Sequence, residues 1–202
     1  DVVGDVTTGN FSVFAAMRYS SKLIRWQYRN GKLSSKQVVT LKAFAPSSAS
    51  EPGIAPQVYA EDENTVYVNG SSTYFTRYDF STGKITGTFA DNTAIAPSGL
   101  NANGGTTFTF DGAHYMFYPA DDFSSSFKFN LVRNAADESF AGYNKLWTFP
   151  KQGIGNVNSQ TWSAQCASVP ASAGAQMLYI YVPGNGLAAY KLSKTTLFGD
   201  IN

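Results

Sequence analysis

A segment near the start of the chain recurs fifty-two positions later without a gap. Residues 12–33 read SVFAAMRYSSKLIRWQYRNGKL, and residues 64–85 read NTVYVNGSSTYFTRYDFSTGKI. Few positions are identical, but both segments pass from an apolar strand through a polar turn and an alternating strand to a Gly-Lys turn. A period of this size indicates stacked copies of one supersecondary unit.

Two further copies complete the pattern. Residues 177–197 align with the second copy at an offset of 112, with Thr195-Thr196 in place of the Gly-Lys turn. A looser copy lies between them and contains His114–Tyr118, Ser126–Val132 and Leu146–Phe149 as its three strands. A further strand candidate precedes each copy: Val2–Thr7, Gln57–Ala60, Thr106–Phe110 and Thr161–Ala167.

This spacing of short strands predicts an all-β fold. Four strands every 50 to 60 residues, four times over, are typical of β-propeller blades. We therefore expect one propeller domain, residues 1–202, of about four antiparallel blades, either whole or part of a larger propeller. Its units would span approximately residues 1–42, 57–90, 105–149 and 161–202. The alternative is a β-sandwich whose hairpins look alike by chance.

Turns and aromatic residues sharpen the prediction. Asn30-Gly31 is a strong hairpin signal, since both central positions of a type I′ turn need a positive φ. We expect a positive φ at Gly31 and at Gly83. The alignment places Trp26, Tyr78 and Tyr190 at one repeat position, and it predicts that these three rings pack between blades and are mostly buried.

One copy resembles a known repeat. Residues Thr65–Phe89, TVYVNGSSTYFTRYDFSTGKITGTF, are similar to the repeat of YVTN-type and quinoprotein-like β-propellers. The matching positions are Val66, Tyr67, Val68, Asn69, Asp79, Thr82, Gly83 and Lys84. The resemblance covers about an eighth of the chain and implies a propeller fold of the kind found in secreted or surface-exposed bacterial proteins. It implies no particular function, because propellers include enzymes, binding proteins and scaffolds.

Composition narrows the classes of function. The 202 residues carry a net charge of +1, and 14% of them are charged, so there is no basic surface for nucleic acid. No apolar run of eighteen residues is present, so we expect no membrane-spanning helix. Cys166 is the one cysteine, which excludes an internal disulfide, and its apolar neighbours predict a small buried side chain. Low charge and abundant Ser, Thr, Asn and Tyr favour an exported protein, periplasmic or at the cell surface.

The candidate binding residues lie in and beside polar loops. Trp147 and Trp162 flank a loop, residues 151–159, that contains Asn156 and Asn158. A tryptophan among amides can stack on a sugar ring while the amides bond its hydroxyls. A core role for both tryptophans is the alternative. Asp121 and Asp122 lie in another turn and are candidates for binding, or for paired carboxylate chemistry.

Two other polar features have simpler interpretations. His114 is the only histidine, and we interpret it as a strand-end residue with local hydrogen bonds rather than a general base. The acidic run Glu61–Asn64 lacks the ligand spacing of a calcium loop and reads as a solvated hairpin turn. The sequence predicts no cofactor and no metal site.

The leading functional hypothesis is a non-catalytic binding or scaffolding module whose ligand is a glycan or another protein. The alternative is a carbohydrate-active hydrolase or lyase with a carboxylate site on the loop-bearing rim. Ala43–Pro56 and Asp91–Gly105 are the long linkers that would form that rim. Either Val2–Thr7 closes the ring by pairing with Leu187–Leu192 or Thr196–Phe198, or the chain belongs to a longer propeller. The start at Asp1 favours the second.

Overall fold

The computed structural model describes residues 1–17, 22–41, 57–69, 76–96, 104–120, 127–134, 139–154, 164–172 and 174–193. In these ranges the chain forms fifteen β-strands and two short 3-10 helices, Phe89–Asp91 and Phe140–Gly142. Among the described residues there is no helix with the length and apolar character needed to cross a membrane. The all-β prediction is confirmed.

The strands form four antiparallel sheets in a propeller-like arrangement, in which consecutive sheets pack face to face. In the first sheet the order is β1 (Val2–Asp5), β2 (Asn10–Ala16), β3 (Lys22–Arg29) and β4 (Lys32–Thr40). The second contains β5 (Gln57–Ala60), β6 (Thr65–Asn69), β7 (Thr76–Asp79) and β8 (Lys84–Thr88). The third contains β9 (Thr106–Phe110), β10 (Ala113–Pro119), β11 (Phe127–Asn134) and β12 (Asn144–Ile154). In its described part the fourth contains β13 (Gln165–Ala171), β14 (Ala175–Val182) and β15 (Gly186–Ser193).

Each neighbouring pair of sheets encloses an apolar cluster. Phe14 and Leu23 of the first sheet pack with Val66 and Tyr78 of the second. Tyr59 and Tyr67 pack with residues of the third sheet, including Met116 and Val132. Phe117 and Leu131 pack with Leu178 and Ile180 of the fourth sheet. The middle sheets are therefore apolar on both faces, as sheets between two neighbours must be.

The first strands of the sheets lie where neighbouring sheets meet. Strand β5 contacts β2 and β9, and β9 contacts β13. Ala60, at the end of β5, donates its N–H to an Asp1 carboxylate oxygen at 2.8 Å and accepts at its carbonyl from the Thr107 hydroxyl at 2.9 Å. The Cys166 N–H in turn donates to the Gly104 carbonyl. These bonds fasten each sheet to the next.

The tight turns agree with their sequences. Asn30 and Gly31 have φ of 52° and 74°, which confirms the two positive values of the type I′ turn. Gly83 has φ of 70°, as predicted. Asp111-Gly112 joins β9 to β10 with the same pair of positive values, 50° and 72°.

The three aligned aromatic residues lie on the third strands of their sheets, β3, β7 and β15. Tyr78 faces the first sheet and is buried, and Tyr190 faces the third sheet and is half-buried. Trp26 lies on the face opposite to the second sheet and is also half-buried, so burial is complete only for Tyr78.

The second strands match with a shift of one residue. Trp26 pairs with Val13, whereas Tyr78 pairs with Val66, so the spacing is 13 residues in one sheet and 12 in the other. The ungapped alignment matches Phe14 to Val66, and it therefore equates residues that lie on opposite faces of their respective sheets.

Three sequence predictions about strands need correction. Val2–Asp5 pairs with β2 in the first sheet and not with Leu187–Leu192, while its other possible partner, Thr196–Phe198, lies outside the described residues. The strand expected at Thr161–Ala167 is Gln165–Ala171, since Ala164 precedes it and residues 161–163 lie outside the described part. The strand expected at Leu146–Phe149 is the longer strand β12, in which Lys151–Ile154 continues the strand where a loop was expected.

Of the two predicted linkers, Ala43–Pro56 lies outside the described residues. The start of Asp91–Gly105 is described, and it is attached to the third sheet. The Asn92 amide donates to the carbonyls of Phe140, Ala141 and Tyr143. Ile95 is fully buried, and its carbonyl accepts from the Tyr118 hydroxyl. This part of the linker therefore belongs to the core between the second and third sheets.

Candidate functional site

A partly open groove of about 480 Å³ lies between the third and fourth sheets. We name it the aromatic groove after its walls. The lining residues are Leu131, Trp147, Thr148, Phe149, Pro150, Lys151, Leu178, Tyr190, Lys191 and Leu192. The three leucines are buried members of the apolar cluster between these sheets. The groove is therefore an opening in the outer part of this sheet-sheet interface.

The pairing of the strands determines which side chains form the walls of the aromatic groove. Trp147 pairs with Leu131, and Phe149 pairs with Phe129, so alternate residues of β12 share the face that packs on the fourth sheet. Tyr190 of β15 pairs with Leu178 on the opposing face of the fourth sheet. Because β12 is the edge strand of its sheet, its indole and phenyl rings lie at the mouth of the interface rather than in its centre.

The aromatic rings hold one another in place. The Phe149 and Tyr190 rings pack edge to face across the interface, with centroids 4.8 Å apart and planes at 72°. Phe149 also stacks on the buried Phe117 ring at 5.4 Å. Edge-to-face and offset-stacked pairs are the favoured geometries of aromatic rings. One wall of the groove is consequently fixed before any ligand arrives.

The chemistry of the groove is apolar. The Thr148 hydroxyl already donates to the Asn130 side-chain oxygen at 2.7 Å. Lys191 pairs with Met177, so its side chain lies on the opposite face from Tyr190. Lys151 is exposed. The described lining contains no carboxylate and no histidine, so it offers no carboxylate pair of the kind that glycoside hydrolysis uses.

Trp147 is the predicted binding residue that the structure brings into the groove. Trp162, Asn156, Asn158, Asp121 and Asp122 lie outside the described residues. Tyr190 and Leu178 also line the groove, but they were not predicted from the sequence to be binding residues. Tyr190 carried a signal, since it shares a repeat position with Tyr78, but that position was interpreted as packing between blades alone.

A second polar cluster surrounds Glu61, between the second and third sheets. The Glu61 Oε2 atom accepts from the Tyr67 hydroxyl at 2.8 Å and from Arg77 Nε at 3.1 Å. The Tyr67 hydroxyl lies 3.2 Å from that of Tyr143, and His114 Nδ1 lies 3.5 Å from Glu61 Oε1. The Glu61 side chain is only 10% exposed and that of Arg77 15%. The interpretation of this acidic run as a solvated turn is therefore wrong for Glu61.

Burial dominates the electrostatics of this cluster. It raises the pKa of Tyr67 well above its usual value and that of Tyr143 to about 12. Both hydroxyls thus stay protonated at neutral pH and serve as donors. Because Glu61 Oε2 already has two donors, we interpret the cluster as a structural tie between sheets. His114 also lies 3.3 Å from the Thr109 hydroxyl, which agrees with the expected local hydrogen bonding.

Cys166 packs at the edge of the cluster between the third and fourth sheets, and it is half-buried. Burial raises the pKa of its thiol well above the usual value, so the reactive thiolate is scarce at neutral pH. This agrees with its interpretation as a packing residue.

Comparisons of the chain with protein-family models, with curated proteins and with solved structures give no match.

Proposed function

We propose that this chain is a non-catalytic binding module that recognises a protein ligand through the aromatic groove. The observation that carries the proposal is the lining: three half-buried rings above three buried leucines, with no described carboxylate or histidine. Concave, mostly apolar sites with a fixed wall are typical of binding sites. A groove of about 480 Å³ has room for one or two apolar side chains of a partner.

A protein ligand fits this lining better than a glycan does. Sugar hydroxyls need amide, hydroxyl or carboxylate partners, and burying them unpaired is costly. In the described lining the Thr148 hydroxyl is engaged with Asn130, which leaves the indole of Trp147 as the main feature that suits a sugar. Leucine, phenylalanine or tryptophan side chains of a partner require no such bonds, and aromatic anchors in pockets often dominate protein interfaces.

The class and location of the module are also proposals. The residues Thr65–Phe89 support a relation to YVTN-type propellers, and with it an exported bacterial protein. The low charge and the single cysteine are compatible with that location. A carbohydrate-active enzyme would need a carboxylate pair, for which the groove gives no support.

Selection from a displayed random-peptide library tests the ligand class. The native chain, Trp147→Ala and Phe108→Ala would be immobilised at equal density. Phe108 is the matched control, because it is a half-buried ring packed on the same apolar cluster without lining the groove. We expect peptides with a shared apolar or aromatic anchor to bind the native chain and Phe108→Ala. Their affinity for Trp147→Ala should fall about 30-fold or more, as for a central aromatic contact.

A glycan array probed with the same three proteins tests the alternative that the ligand is a glycan. Glycans that bind the native chain and are lost in Trp147→Ala, with no peptide enriched, would replace the protein ligand by a glycan. Equal peptide binding by all three proteins would show that the aromatic groove is not the binding site.

A further inference from the structure

Two sheet faces lie outside all three apolar clusters, although their residues are mostly apolar. The first open face, on the side of the first sheet away from the second, is formed by Val2, Phe11, Val13, Ala15, Ile24, Trp26, Tyr28, Leu33 and Val38. The fourth open face, on the side of the fourth sheet away from the third, is formed by Ala167, Val169, Met177, Tyr179, Tyr181, Leu187 and Ala189. None of the three clusters joins the first sheet to the fourth in the part of the chain that the structure describes.

These side chains are in contact with water to an unusual degree. Leu33 is 55% exposed and Leu187 is 69% exposed, and every residue of both faces is half-buried or exposed. Continuous apolar surfaces of this kind on a folded protein mark sites of association. The charged residues that share these faces are lysines: Lys22 and Lys36 on the first open face, and Lys191 on the fourth.

Both faces have packed counterparts inside the same molecule. Val13 and Trp26 correspond by strand and register to Val66 and Tyr78, which are buried against the preceding sheet. Tyr179 lies 112 residues after Tyr67 on the equivalent strand, and Tyr67 is fully buried against the following sheet. The first open face is thus of the kind that accepts a preceding sheet, and the fourth is of the kind that accepts a following one.

We propose that the chain associates head to tail with a second copy of itself. The first open face of each copy packs on the fourth open face of the other, which continues the internal sheet-to-sheet interfaces across the junction. A contact between two different faces is heterologous, and it becomes a closed assembly when the rotation returns to the first copy. Two copies would unite eight sheets, which is within the usual range of propellers.

The area of the two junctions is sufficient only when both form. Three to four strands about 4.8 Å apart and about five residues long at 3.3 Å per residue cover roughly 240 to 300 Å² in projection. One junction would then bury about 500 to 600 Å² from both partners, below the size of a stable interface, whereas a closed pair would bury about 1,000 to 1,200 Å². The pair should therefore form in one step, without a populated chain of open oligomers.

Sedimentation velocity from about 1 µM to about 200 µM tests the assembly, since this range spans weak and stable dissociation constants. The first-face variant is Leu33→Lys with Val38→Lys, and the fourth-face variant is Tyr181→Glu with Leu187→Glu. All four positions are about half exposed or more, so the monomer should keep its fold, as circular dichroism will show. Ile85→Lys is the control, because Ile85 is 48% exposed on β8 of the second sheet, away from both faces.

We expect a dimer for the native chain and for Ile85→Lys. Each face variant should be monomeric, with a dissociation constant raised at least about 100-fold, because its new charges would be buried against the apolar side chains of a native face. Screening by high salt should strengthen the native dimer, since the charged residues described on the two faces are all positive.

Mixing the two face variants tests the head-to-tail geometry. In the mixed dimer one junction is native, and the other brings the new lysines of one variant together with the new glutamates of the other, so both junctions can form. Native mass spectrometry should then detect a mixed dimer, weaker than the native one, and neither homodimer. A native chain that stays monomeric over the whole range, or face variants that dimerise as the native chain does, would overturn the proposal. Mixing that restores nothing would overturn the head-to-tail arrangement.

Discussion

Replacing Glu61 by Gln should destabilise the fold more than any comparable change at an exposed ion pair. The substitution keeps the shape of the side chain but removes its charge. Arg77 then loses the carboxylate that lies 3.1 Å from its Nε atom, and the Tyr67 hydroxyl donates to a weaker acceptor. The two charged side chains are 15% and 10% exposed, so water cannot take the place of the lost partner.

The magnitude follows from that burial. Two unit charges about 4 Å apart attract by about 4 kcal/mol at an effective dielectric constant of about 20. Part of this gain is offset by the cost of removing both charges from water, and breaking such a pair typically costs about 3 to 5 kcal/mol when it is fully buried. We expect the free energy of unfolding to fall by about 2 to 4 kcal/mol in Glu61→Gln.

A double-mutant cycle isolates the pair from other effects. Arg77→Met alone leaves Glu61 without its cation and also removes a 2.9 Å hydrogen bond to the Thr86 hydroxyl. The double variant leaves neither charge unpaired, so its destabilisation should be less than the sum of the two single effects. A coupling free energy of about 2 kcal/mol is expected for residues in direct contact.

Urea unfolding, followed by tryptophan fluorescence and checked by circular dichroism, measures these free energies. The control is Glu63→Gln, because the Arg29–Glu63 pair has side chains 40% and 35% exposed and should contribute less than about 1 kcal/mol. Equal destabilisation by Glu61→Gln and Glu63→Gln, or a coupling near zero, would refute the reasoning that burial makes the Glu61 pair a structural tie.

Two further predictions concern stability. Burial raises the pKa of Tyr143 to about 12 and that of Tyr67 well above its usual value, so the folded state keeps protons that the unfolded chain releases from about pH 10 upward. The free energy of unfolding should therefore decrease as the pH rises from about 10 towards 12, and a constant urea midpoint over that range would contradict this. In Gly87→Ala the new Cβ would lie 2.5 Å from Cβ and Cγ of Phe140, so the variant should lose about 1 to 3 kcal/mol by overpacking between the second and third sheets. Lys84→Ala, on an exposed position of the same strand, should leave the thermal midpoint unchanged, and an equal midpoint for Gly87→Ala would exclude the clash.

Local signals in the sequence predicted the turns and many strands correctly. Asn30-Gly31 determines its own turn because only residues that tolerate a positive φ fit there, and no distant contact is needed. The shift between the second strands escaped prediction for a physical reason. The hairpin between Val13 and Trp26 has one residue more than the one between Val66 and Tyr78, and alternation alone does not reveal on which side of the loop the extra residue lies.

The groove and the Glu61 cluster depend on contacts that no short segment encodes. Trp147 was recognisable as a candidate from the sequence. That Trp147 and Tyr190 line the same groove depends on the packing of edge regions from two different sheets. Glu61 stood in the densest acidic run and looked solvated. Its partner Arg77 reaches it because Arg77 pairs with Tyr67 across β6 and β7, which is a property of the sheet rather than of the run.

The hydrogen bonds of Ala60 have a consequence for the order in which the molecule opens. Its N–H and its carbonyl fasten the second sheet to both neighbours, so this sheet opens as a unit only after the ties on both sides have broken. When each unit contacts only its neighbours, stability is nearly a sum of local terms, and units with one neighbour open at lower cost than units with two. Amide hydrogen exchange in the monomer should therefore be fastest in the fourth sheet and slowest in β6. Protection would then rise along the chain from both terminal sheets towards the middle pair.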